Sequence, residues 1–135
     1  MSRRVQVTFD AEHPDRLVEF WCEVLGYSAE PLHPAAEAGL RAAGMDPARS
    51  GDLFAAAVDP DGQGPRLLAL AVPEGKTAKN RMHLDVHVDG GPEGVAAEVQ
   101  RLVGLGATHL HTLTEHGSHW ATLTDPEGNE FCVSA

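Results

Sequence analysis

Residues 79–88 read Lys-Asn-Arg-Met-His-Leu-Asp-Val-His-Val. From Met82 onward, apolar residues alternate with ionisable ones. Alternate side chains of a strand point to opposite faces. Met82, Leu84, Val86 and Val88 are therefore expected on one face, and His83, Asp85 and His87 on the other. The polar face is either the wet side of a half-exposed sheet or the wall of a site.

The residues after this stretch have a counterpart earlier in the chain. After the strand comes Gly-Gly-Pro, with Pro92 in the first turn of a helix, where its missing N–H costs nothing. Val95, Val99, Leu102 and Val103 fall on one helical stripe, Gly106 is the stop, and Thr108–Leu113 is a further strand. Near the start, Val5, Val7 and Phe9 alternate with Gln6, Thr8 and Asp10. Pro14 then opens a helix with Leu17, Phe20, Trp21, Val24 and Leu25 on its stripe, Gly26 stops it, and residues 27–32 suit a second strand. The later parts match as well. Asp-Pro-Asp-Gly at 59–62 and Asp-Pro-Glu-Gly at 125–128 are both turn signals set between strand-like runs. Each half thus reads strand, helix, then three strands, which is the pattern of a duplicated unit. The expected fold is α+β: two tandem βαβββ units forming a curved mixed sheet around a cavity. We expect one domain over 1–135, with unit one at 1–75 and unit two at 80–135. The Ala-rich insertion at 33–52 is partly helical and serves either as a lid or as plain surface.

The chain has 135 residues, 42% of them hydrophobic, and a net charge of −10. That suits one compact domain. The charge repels phosphate backbones and anionic lipid, so neither nucleic acid nor membrane is an expected partner. An acidic surface also suits a cationic ligand, although it more often only maintains solubility. Two cysteines, Cys22 and Cys132, make no disulfide framework, and the chain opens straight into a strand pattern. A reduced, cytoplasmic protein is expected. No nucleotide-binding or serine-hydrolase signature is present.

With the repeat, the polar faces of the leading strands are read as walls of a shared concavity. Gln6 and Thr8 enter from one half, and His83, Asp85 and His87 from the other. The last strand adds Glu130 and Cys132, while Phe131 and Val133 face the helix. His109, His111, His116 and His119 fit no closed zinc spacing and read as an exposed hairpin from which His111 reaches the cavity. Lys76, Lys79 and Arg81 are read as a solvated linker.

Three segments resemble the vicinal oxygen chelate superfamily, whose members include glyoxalases, bleomycin-resistance proteins and extradiol dioxygenases. They are Phe-Trp-Cys-Glu-Val-Leu-Gly-Tyr at 20–27, the stretch from Val72 to Val86, and the stretch from Trp120 to Val133. The resemblance is to a glyoxalase-like subgroup. It implies metal ligands on the first and last strand of each unit, here Gln6, His83 and Cys132. A glutamate is expected where Cys132 stands, and Leu-Leu-Ala-Leu-Ala-Val offers no carboxylate for the remaining position. One divalent ion (Ni, Zn, Fe or Mn) is therefore implied on an altered ligand set, with Glu130 or Asp85 as general base. Thr8, His87, His111 and Trp120 are the expected substrate-binding residues. Residues two apart on a strand lie about 6.5 Å from each other, so His83 and Asp85 are expected to share an ion only with distortion. Without metal, they form a polar network. Two functions stand. One is a metal-dependent lyase, isomerase or dioxygenase on a small oxygenated molecule. The other is a metal-free binding or resistance protein of the bleomycin-binding type. The resemblance also implies a homodimer.

Overall fold

The computed structural model describes residues 2–135. Contacts divide the chain into two compact units, Met1–Gly75 and Lys76–Ala135.

In the first unit, strand β1 (Gln6–Ala11) leads into helix α1 (Pro14–Leu25), followed by β2 (Ser28–Ala29), α2 (Pro34–Ala42), a 3-10 turn (Pro47–Asp52), β3 (Phe54–Val58) and β4 (Arg66–Ala71). The four strands form one open mixed sheet in the order β1-β4-β3-β2, with β1 parallel to β4. Helix α1 ends where Gly26 takes a left-handed φ of 69°, a conformation that glycine adopts without a Cβ penalty. Its buried stripe is Leu17, Val18, Phe20, Trp21 and Val24. Trp21 stacks on Phe9 with ring centroids 5.7 Å apart and meets Phe20 edge-on. Ala56, Ala57, Leu67 and Ala69 complete this core from the sheet. The expected second strand shrinks to two residues. The 33–52 insertion is helical over Pro34–Ala42 and buries none of that helix's side chains. His33 caps it, its Nδ1 accepting from the Ala35 N–H at 3.1 Å.

The second unit contains β5 (Asp85–His87), α3 (Gly91–Gly104), β6 (Thr108–Glu115), β7 (Ser118–Thr124) and β8 (Glu130–Ser134). Its open sheet runs β5-β8-β7-β6, again with the first and last strands parallel. Val95, Val99 and Leu102 of α3 are buried, as are Ala121, Leu123, Phe131 and Val133 of the sheet. Each large apolar side chain among them stabilises by about 1.5–3 kcal/mol relative to exposure.

Three readings of the apolar stripes need correction. The strand expected from Met82 begins only at Asp85, and Met82 is 89% exposed. Val5 lies ahead of β1 and Val103 lies off the buried stripe of α3, so both are exposed. Strand pairing begins at Asp85, so Met82 ahead of it lies outside the sheet and has no sheet face to bury.

Both turn signals close hairpin-like connections by the same device. Asp59 accepts from the N–H groups of Asp61, Gln63 and Gly64 at 2.9, 3.0 and 2.7 Å. Asp125, only 3% exposed, accepts from the N–H groups of Glu127 and Asn129 and from the Asn129 amide. An Asp opening a turn captures the backbone donors beyond it.

Candidate functional site

The second unit's sheet has one face turned to α3 and one face free of it. Strand register assembles the free face in rows. Asp85 pairs with Cys132, Cys132 with Thr122, and Thr122 with His111. In the adjacent row, His87 pairs with Ser134, Ser134 with Trp120, and Trp120 with Leu113. Directly paired residues share a face. The second unit's expected site residues on strands, Asp85, His87, His111, Trp120, Glu130 and Cys132, therefore share this one surface. A register shift between His109 and His111 brings His111 into the row.

His83, Asp85 and Cys132 converge. One donor atom from each lies within 4.8 Å of the others. His83 Nδ1 sits 3.3 Å from Asp85 Oδ1. Strand spacing made this pair look unfavourable for a shared ion, but His83 precedes β5 and is not bound by strand geometry. Donors around a tetrahedral ion are about 3.5 Å apart, so the three would need small side-chain rotations to share one ion. Both His83 and Asp85 are about half exposed, which leaves the group open to a ligand. Thr122 Oγ1 lies 3.6 Å from Cys132 Sγ and orients the thiol from the neighbouring strand. Imidazole nitrogen, carboxylate oxygen and thiolate sulfur suit a borderline first-row divalent ion.

Glu130, two residues before Cys132 on the same face, is clamped. Its Oε2 accepts from the Asn80 N–H at 2.9 Å and lies 3.2 Å from Lys76 Nζ. The Asn80 N–H, then its own backbone N–H and the Lys76 ammonium, hold the Glu130 carboxyl below its ordinary range despite desolvation. Lys76 also donates to the Ala78 carbonyl. Read from sequence as a linker cation, Lys76 thus ties residues 76–80 to β8.

His87 Nδ1 lies 3.0 Å from Ser134 Oγ. Ser134, Thr122 and Asn80 are site neighbours that sequence reasoning passed over. The period-two pattern Glu-Phe-Cys-Val-Ser already placed Ser134 beside Cys132, whereas Asn80 had no periodic signal. The other histidines stay in local pairs: His109 with Thr112, His119 with Thr114, and His116 beside Glu115. Cys22 in α1 is half-buried. Burial, then Glu23 and Glu19, push its thiol pKa up, which keeps it protonated and unreactive.

In the first unit, Gln6 and Thr8 are exposed or half-exposed on β1. Gln6 Nε2 donates to Thr8 Oγ1 at 3.3 Å, and Gln6 Oε1 accepts from Arg66 Nη1 at 2.8 Å. Arg66 also pairs through Nε with Glu30. The amide oxygen that the resemblance assigns to a metal is thus engaged by a cation.

The whole chain is similar in fold to several solved structures. A possible glyoxalase from Bacillus cereus superposes with a TM-score of 0.67 at 17% identity, covering 100% of both chains. A glyoxalase/bleomycin resistance protein/dioxygenase family enzyme from Burkholderia phytofirmans gives 0.66 at 18% identity, covering 96% of this chain and 94% of its own. A mutant of the fosfomycin resistance protein of Listeria monocytogenes, complexed with Mn(II) and a dihydroxypropylphosphonic acid, gives 0.69 at 10% identity, covering 100% and 90%. At these identities the likeness is one of fold. No curated protein matches the chain. Among the described residues, no helix is long and apolar enough to cross a membrane. The family model for the glyoxalase-like domain matches residues 6–134, and the chain belongs to that family.

Proposed function

We propose that this protein is a metal-dependent enzyme acting on a small oxygenated molecule, as a lyase, isomerase or dioxygenase. The convergence of donor atoms from His83, Asp85 and Cys132 carries the reading. Three protein donors on an open surface match a catalytic centre rather than a closed structural one. A divalent ion of the Ni, Zn, Fe or Mn class held there supplies Lewis acidity toward neighbouring substrate oxygens. Cys132 must give up its proton to serve, and His83 must present a neutral ring nitrogen. Glu130 is the proton acceptor. Its Oε1 is the less engaged oxygen, 3.4 Å from Lys76 Nζ, while Oε2 is tied to the Asn80 N–H. A carboxylate stabilised in this way is a weak base, so it takes only a proton that substrate binding has already acidified. His87, His111 and Trp120 supply substrate contacts along the same face. The chain acts as one domain in a cytoplasmic homodimer, and light scattering of the purified protein tests the dimer.

A metal-free binding protein is the second reading. It is favoured by the Arg66 guanidinium on Gln6 and by a β4 that carries no carboxylate. Metal content of untagged, chelator-free protein, read by elemental mass spectrometry, separates the two. The enzyme reading expects near-stoichiometric metal in the wild type and loss of it in His83→Ala. Wild-type protein that stays metal-free after reloading overturns it and leaves the binder.

A further inference from the structure

In the first unit, a cavity of about 710 Å³ opens beside the N-terminal ends of β1 and β4. Its wall includes Arg3, Arg4 and Gln6 on one side, and Asp59, Gly64 and Arg66 on the other. Three arginines thus line one cavity in a chain whose net charge is −10. The lone carboxylate in the wall does not offset them by pairing. Asp59 spends its oxygens on the N–H groups of its own turn. Those N–H groups, Gly64 first, also hold its carboxyl below the ordinary range, so it stays ionised without an arginine partner.

The arginines differ in how firmly they are held. Arg66 is braced by Gln6 through Nη1 and by Glu30 through Nε, which leaves Nη2 uncommitted. Among the described residues, Arg3 and Arg4 have no ion-pair partner. Glu30 pairs with Arg66, but Arg3 and Arg4 have no such partner, so the wall keeps a surplus of positive charge that an anion would relieve. A guanidinium offers a planar fork that matches phosphate and carboxylate oxygens two at a time. The volume suits a small molecule.

We propose that this cavity binds the anionic end of a small molecule, a phosphate or a carboxylate, through Arg3, Arg4 and Arg66. The site is built from first-unit residues alone and needs no metal, so it does not depend on the His83 group. The test is calorimetric titration of the full chain, stripped of metal, with inorganic phosphate and separately with malonate at constant ionic strength. Saturable binding of at least one probe is expected, and its identity tells a phosphoryl from a carboxylate ligand. The double variant Arg3→Gln/Arg4→Gln and the single variant Arg66→Gln should each weaken it about tenfold or more. Arg101→Gln on α3 should leave it unchanged. Thermal melting shows whether Arg66→Gln folds. If it does not, the double variant, which lies outside every helix and strand, decides. No saturable binding of either probe, or affinity in the double variant within about twofold of wild type, overturns the proposal.

Discussion

The parallel pair β1–β4 in the first unit and the parallel pair β5–β8 in the second share a topology and carry opposite chemistry. In the first, Gln6 is paired with Arg66, and Thr8 with Leu68. In the second, the position matching Thr8 is Asp85, paired with Cys132. One pair presents a guanidinium braced by an amide and a carboxylate. The other presents an imidazole, a carboxylate and a thiol within reach of one ion. A duplicated scaffold fixes where side chains emerge but leaves their chemistry free. Here the two copies have diverged in the side chains they present, and the two proposals, an anion on one and a cation on the other, rest on that divergence.

The two cores give the strongest way to break this comparison. Trp21→Ala should cost about 4 kcal/mol and Leu102→Ala about 3 kcal/mol in denaturant unfolding, because both side chains are fully buried. If the units unfold separately, each substitution shifts only one of two transitions. A single shared transition would mean that they fold as one body. The matched turns come next. Asp125→Ala should cost about 2 kcal/mol, since it strands part-buried donors of Glu127 and Asn129. Asp59→Ala, in an exposed turn, should be milder. Equal losses in the same unfolding assay would show that burial does not separate the two devices.

The proposed metal site gives a sharper test with a smaller energy. Asp85→Asn should weaken metal binding about tenfold, or about 1.4 kcal/mol, while Gln6→Ala leaves it within about twofold. Competition with a chromogenic chelator measures both. A large loss in Gln6→Ala would show that Gln6 leaves Arg66 to reach the ion. The smallest effect is a pH dependence. The Glu130 carboxyl titrates below its usual 4.5 in the folded chain. The stability this contributes is complete above the unfolded value and is lost as pH falls through the lowered folded value. Glu130→Gln should flatten the acid limb of a melting-temperature profile, and an unchanged limb would mean that the Asn80 and Lys76 contacts carry no linkage.

Much of the fold was legible because periodicity and punctuation are local. Pro14 and Gly26 bracket α1, and the Asp-Pro turns mark the ends of β3 and β7. Less of the site could be read. Period two placed Asp85, His87, Glu130 and Cys132 on faces, but it also extended the strand to Met82, which is exposed. Asn80 and Lys76 had no pattern to announce them, because a clamp made by an irregular segment has no period.

The sequence by itself determined the duplicated order of elements, the two apolar helix stripes and the polar alternation around Asp85, since each depends on neighbours a few residues apart. Only the tertiary structure decided which polar groups meet. Strand register set Cys132 against Asp85 and Arg66 against Gln6, and those partners are about fifty and sixty residues distant along the chain. A hydrogen-bond register is chosen by the packing of whole sheets against their helices. The chemistry of each strand pair is therefore a property of the fold before it is a property of any stretch of sequence.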